Sequence, residues 1–120
     1  MAQHNDLGKE GEKIGLEYLI KKGYKILATN WHHRQEEIDI IAMDKDELVI
    51  VEVKTRSSSF IEAPELAVNK AKQKFLINAA AAFIEKNNFD FDTRFDIISI
   101  ISNGKYQKIN HIENAFYPGF

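Results

Sequence analysis

Asp39, Glu52 and Lys54 are the residues of this chain best placed to do chemistry. They stand in two β-branched, apolar runs, EIDIIAM from Glu37 and LVIVEVKTR ending at Arg56, joined by a short charged turn at Asp44, Lys45, Asp46 and Glu47. Such runs read as an antiparallel hairpin. Alternation puts Glu37, Asp39 and Ile41 on one face of the first strand and Ile38, Ile40 and Ala42 on the other. In the second strand Leu48, Ile50, Glu52 and Lys54 oppose Val49, Val51 and Val53. Both faces are largely apolar, so both must be covered, and an uncompensated ion there costs several kcal/mol. Pairing through the turn sets Asp39 roughly across from Glu52 and Lys54. Two carboxylates and one ammonium leave surplus negative charge, which a hard divalent cation such as Mg²⁺ or Mn²⁺ relieves by taking oxygen ligands. Lys54 beside it is suited to orient or deprotonate a water, or to offset charge developing on a phosphate. The alternative is an ion-pair network that only fixes strand register.

The remaining elements follow from periodicity. Leu7 to Lys22 suits a helix, with Asn5 or Asp6 as N-cap and Gly23 past its end. Gly8, Gly11 and Gly15 line one of its faces with Glu12, Tyr18 and Leu19, which predicts close approach to another element. Tyr24 to Thr29 reads as a strand, Asn30 to Glu36 as a polar loop, and the serine-rich stretch after Arg56 as a loop. A second helix is expected from Asn69 to Lys86, with Phe75, Leu76, Ala79, Ala80, Phe83 and Ile84 as its apolar stripe. Arg94 to Ile101 and Tyr106 to Glu113 read as a strand pair across Asn103-Gly104, with Arg94 and Asp96 pairing on one face. Phe116, Tyr117 and Phe120 are expected to cover the core edge, with an interface as the alternative. The order helix, three strands, helix, two strands defines an α/β chain with a mixed sheet between helices.

At 120 residues and 44% hydrophobic content, residues 1–120 make one domain with one core. A net charge of −2 excludes a generally basic nucleic-acid-coating protein, so such contacts must be local. Arg56, and Lys72 with Gln73, are candidate phosphate contacts, against the ordinary alternative of solvated charge; Lys70 and Lys74 read as a solvated face. Trp31 reads as packing, and His32 and His33 as loop residues that alternate in direction and do not share a metal. The absence of cysteine, of an apolar leader and of any long apolar run gives the expectation of a soluble, cytoplasmic protein with no membrane segment.

The EID string at Glu37 and the VEVKTR string at Val51 to Arg56 resemble the acidic and E-x-K elements of the PD-(D/E)xK nuclease superfamily. More closely, the chain resembles the small bacterial YraN-like proteins, predicted endonucleases, over most of its length. The likeness includes Gly11-Glu12, Tyr18-Leu19, Gly23-Tyr24, Asn30, Arg34, Lys72-Gln73, Arg94-Phe95-Asp96 and Ile112 to Phe116. It implies a restriction-endonuclease-like mixed five-stranded sheet flanked by helices. It further implies Asp39 and Glu52 as ligands of Mg²⁺ or Mn²⁺, Lys54 as the catalytic lysine, and Glu12 in the place of the helix glutamate of archaeal Holliday-junction resolvases. The expected function is metal-dependent hydrolysis of phosphodiester bonds in DNA, including branched or junction DNA, in preference to RNA. Cutting two strands calls for two sites, which a homodimer would supply. The alternatives are a weakly active nucleic-acid-binding or partner-recruiting module of the same fold, and an RNA-processing nuclease. Glu36 stands where these relatives usually carry glycine, adding negative charge beside the site.

Overall fold

The central hairpin needs cover on both sides and receives it. In the computed structural model, which describes residues 2–57, 68–103 and 107–118, the elements are α1 (Ala2–Lys21), β1 (Lys25–His33), β2 (Glu36–Asp44), β3 (Glu47–Arg56), α2 (Lys70–Asn87), β4 (Asp92–Ser102) and β5 (Gln107–Phe116). They follow the expected order. The five strands form one sheet in the order β1-β2-β3-β4-β5, with β3 and β4 parallel and the other pairs antiparallel. Under α2, Ile41, Leu48, Ile50 and Ile97 pack with Leu76, Ala79 and Phe83. On the opposite face Ile40, Ala42, Val49, Val51, Ile98 and Ile100 pack with Leu19 of α1. Among the described residues, no helix is long and apolar enough to cross a membrane.

α1 begins before the expected cap. The helix runs back to Ala2, so Asn5 and Asp6 lie inside it; no proline or glycine precedes them to stop it. Its other end is as expected: Gly23 takes φ 100°. The Gly23 N–H donates to the Ile20 carbonyl at 3.0 Å and the Tyr24 N–H to the Leu19 carbonyl at 2.9 Å, which closes the last turn. The glycine stripe does permit close approach, but not evenly. A Cβ at Gly11 would lie 2.8 Å from the Thr55 Cβ, and one at Gly15 would meet Val53 at 3.4 Å, whereas Gly8 has nothing within 4 Å. Gly11→Ala is therefore expected to destabilise by about 1–3 kcal/mol through overpacking against β3. Gly8→Ala is expected to gain up to about 1 kcal/mol from helix propensity. Urea unfolding of the two variants measures both, and equal shifts would contradict the packing.

The polar loop expected at Asn30 to Glu36 is mostly strand. β1 continues to His33 through the pairs Trp31↔Ile38, His32↔Glu37 and His33↔Glu36, leaving Arg34 and Gln35 as the turn, with Arg34 at φ 60°. β1 is the sheet edge, where polar side chains stay hydrated while the backbone still pairs with β2. The face assignment in β2 also needs correction. Ile38 packs under α2 with Ile41, while Ile40 and Ala42 lie under α1. Alternation therefore breaks at Asp39, which with Ile40 lines a cleft beside α1. Asn30, at φ 48°, lines the same cleft as its neighbour Thr29. Both strands thus deviate at the same level, and that deviation aims Asp39 at the helix.

α2 is capped by Asn69, whose side chain accepts from the Lys72 N–H, and ends on Asn88 in the left-handed conformation. Phe75 departs from the expected stripe: it is 51% exposed, at the level of the β1–β2 turn where the sheet ends. Trp31 packs edge-on against Phe83 at 5.3 Å, the packing role expected of it. Phe116 is buried and stacked on Phe95 at 5.0 Å, but Tyr117 is 68% exposed rather than covering the core. Phe120, most of the serine-rich loop, and Gly104 with Lys105 of the expected β4–β5 turn lie outside the described residues.

Candidate functional site

β2 and β3 pair regularly from Asp44↔Glu47 to Ile40↔Val51, and there the ladder stops. The next residue of β2, Asp39, uses its carboxylate in place of backbone, and Oδ2 accepts the Val53 N–H at 2.8 Å. In the gap between the strands the carboxyls of Asp39 and Glu52 lie close enough to perturb each other's charge. Asp39 and Glu52 come near each other where the strands part, not by the direct cross-strand pairing expected of them.

Burial, and then the charge of Glu52, push the Asp39 carboxyl up to about 8 against the Val53 hydrogen bond. Burial also raises Glu52, opposed by Lys72 and Lys54. Both carboxyls are raised because burial disfavours two charges in the same gap. Glu52 Oε2 lies 3.5 Å from Lys72 Nζ, while Oε1 is buried without a hydrogen-bond partner among the described residues. Such an orphaned carboxylate oxygen is costly, and a bound cation would satisfy it.

A second group of oxygens meets Asp39 from the other side. Glu12 of α1, Glu37 and Asp39 each offer an oxygen, all within 4.8 Å of one another. That spacing is near the span across a hard octahedral ion, roughly twice a ligand bond of ~2.1 Å. Asn30 holds the acids in place: Nδ2 donates to Glu12 Oε1 at 2.9 Å and to Glu37 Oε2 at 3.0 Å. His32 Nε2 lies 3.2 Å from Glu37 Oε1. A cleft of about 350 Å³, lined by Lys9, Glu12, Asn30 and Asp39, opens this group to solvent. The donors are all carboxylate oxygens, as Mg²⁺ and Mn²⁺ require.

Lys54 is exposed on β3 and its charge acts on Glu52. Lys72 reaches the same carboxylate from α2. Gln73 Nε2 donates to the Val68 carbonyl at 3.1 Å, and Arg56 ends β3 across from Ile101. Glu37, Asn30 and His32 were not among the expected site residues. Glu37 was legible, because it alternates with Asp39, whereas Asn30 depends on a backbone deviation that no residue pattern announces. Glu36 turns away from the acids and lines a cleft with Arg34, Gln35 and Phe75.

The Asp39 shift sets a pH dependence for the metal-free protein. A carboxyl raised from 3.8 to about 8 on folding means that the folded state binds the extra proton between those values. Stability therefore falls as pH rises from about 4 to about 8. Asp96 shifts in the opposite direction, so its contribution is lost only on acidification below the ordinary carboxylate range. Thermal melts from about pH 5 to about pH 8 should show the decline, and Mn²⁺ should flatten it. A metal-free midpoint that rises over this interval would contradict the burial of Asp39.

A mixed five-stranded sheet with a helix on each face and an acid cluster where two strands part defines an α/β protein compatible with the restriction-endonuclease-like fold. The particular family follows from comparison: residues 11–100 match the sequence profile described as "Uncharacterised protein family UPF0102", and the chain belongs to that family. A UPF0102 protein of Flavobacterium psychrophilum is 50% identical over 117 residues, covering 98% of each chain. One of Parabacteroides distasonis is 48% identical over 117 residues, covering 98% of this chain and 97% of the relative.

Proposed function

We propose that this chain is a divalent-metal-dependent nuclease that hydrolyses phosphodiester bonds in DNA, branched or junction DNA included. The observation that carries the reading is the buried Asp39–Glu52 pair with its unpartnered Oε1, in contact with a cleft lined by a further carboxylate. Asp39 and Glu52 would hold Mg²⁺ or Mn²⁺, with Glu12 and Glu37 extending the ligand set through Asp39. When bound, the cation supplies Lewis-acid polarisation of the phosphate and a lowered pKa for water. Lys54, exposed beside Glu52, orients the attacking water and offsets charge on the phosphoryl oxygens as the bond to the leaving oxygen breaks. Lys72 compensates Glu52 and lies within reach of the same phosphate. Two sites, as in a homodimer, would be needed to cut both strands.

The test presents duplex, branched and single-stranded DNA, and RNA, to the purified chain with Mg²⁺ or Mn²⁺. Cleavage of DNA is expected, and Lys54→Ala should lower it by about 10²-fold or more while keeping the Mn²⁺-induced rise in melting temperature. Equal cleavage by Lys54→Ala would overturn the assignment. The Lys72–Glu52 pair is also what a non-catalytic binding module would retain. In that case no substrate is cleaved and Mn²⁺ leaves the melting temperature unchanged.

A further inference from the structure

A cleft of about 510 Å³ runs along the outer side of α2, between Lys70, Gln73, Lys74 and Asn78 of the helix and Tyr117 with Pro118 after β5. Its lining carries two ammonium groups and no acid, although the chain as a whole has a net charge of −2. A local cationic surface on an acidic protein concentrates phosphate there. Lys70 and Lys74 are one helical turn apart and exposed, so both present their charge along one face.

Tyr117 adds a second, independent feature. It is 68% exposed, yet its ring is not loose: the Tyr117 hydroxyl accepts from Asn114 Nδ2 at 3.1 Å. Asn114 is itself fixed in the left-handed conformation, at φ 57°, with its N–H donating to Asp96 Oδ1 at 3.0 Å. An aromatic ring held out of the core by its polar tip presents a free flat face beside the two lysines. That combination suits an unpaired base stacked on a ring with its backbone phosphate on ammonium groups. A base within a duplex has no face to offer.

We infer that the α2–Tyr117 cleft binds an unpaired nucleotide of single-stranded nucleic acid, with the base on Tyr117 and the phosphate on Lys70 and Lys74. The cleft shares α2 with Lys72, which is paired to Glu52 on another side of the helix. This inference rests on the nuclease reading for its purpose, making the cleft the part that selects substrates with a single-stranded portion.

The test is fluorescence anisotropy of the full chain in EDTA with labelled single-stranded and blunt duplex oligonucleotides of equal length. Tighter binding of the single strand is expected. Tyr117→Ala should weaken it about tenfold with an unchanged salt dependence, and Tyr117→Trp should restore it. Lys70→Glu with Lys74→Glu should weaken it and lower the slope of log affinity against log salt by about 1 to 2. All three positions are exposed, so melting temperature and the Mn²⁺ response should stay at wild-type values. Affinity unchanged in these variants, or equal affinity for duplex, would overturn the inference. Single-strand binding lost in these variants without any cleavage by the wild type would overturn the nuclease reading and leave the cleft assignment standing. Cleavage with silent variants does the reverse.

Discussion

Asp39→Asn should abolish cleavage and at the same time make the metal-free protein more stable near pH 8. Both effects come from one atom exchange. Asn keeps a carbonyl oxygen for the Val53 N–H, which Asp39 Oδ2 now accepts at 2.8 Å, so the parting of β2 and β3 is preserved. Its neutral amide no longer repels the Glu52 carboxylate. The charge that burial and Glu52 oppose is gone, so the decline in stability between about pH 4 and about pH 8 should flatten. The same exchange removes the carboxylate common to the Glu52 pair and the Glu12–Glu37 group. Charge stabilisation at a metal site supplies several kcal/mol, so the cleavage rate should fall by at least about 10³-fold. Cleavage time courses and thermal melts of the same preparation measure both effects. A variant that is less stable and equally active would contradict each part.

The second large effect lies away from the site. Arg94→Ala should cost about 3–5 kcal/mol, because it leaves the fully buried Asp96 without its counter-charge. The Arg94 side chain is 8% exposed, and its guanidinium donates to Asp96 at 2.9 and 3.0 Å, to Asp44 and Glu47 at 3.0 Å each, and to the Tyr24 hydroxyl at 2.6 Å. Burial opposes its charge, but Asp96 and Asp44 outweigh burial and hold it above its ordinary value. Asp96 is 0% exposed and also accepts from His111 Nε2 at 2.7 Å. Lys22 Nζ lies 3.1 Å from His111 Nδ1. Urea unfolding should show the loss, and Arg94→Ala combined with Asp96→Ala should cost less than the two single changes added together. The Mn²⁺ response should survive in whatever fraction folds. A change under about 1 kcal/mol would mean the network is solvated rather than buried.

Much of this was legible in residue types, and the misses have a common cause. The two-sided apolar pattern of Ile40 to Ala42 and Leu48 to Val51 required helices on both faces, and Gly11 with Gly15 marked where α1 approaches β3. Arg94 and Asp96, two apart on a strand, read correctly as a pair. Asp39, Glu52 and Glu12 were named as site residues on the strength of surplus charge and resemblance, and the structure brings each into contact distance of Asp39 or its neighbours. What the pattern missed depends on deviations from ideal geometry. Strict alternation put Ile38 on the side of Ile40, because nothing in EIDIIAM signals that alternation breaks at Asp39. Asn30 was read as loop because polar residues on an edge strand look like a turn. Phe75 and Tyr117 were assigned to the core by hydrophobicity alone, which does not say where the sheet ends.

The central claim is that these acids converge to hold a divalent cation, and calorimetric titration of the metal-free chain with Mn²⁺ near pH 7 measures it most directly. The account predicts at least one ion bound per chain, with heat that varies with the buffer because a proton leaves the Asp39–Glu52 pair, and loss of that binding in Asp39→Asn. Absence of binding at millimolar Mn²⁺, or binding of equal strength in Asp39→Asn, would contradict it.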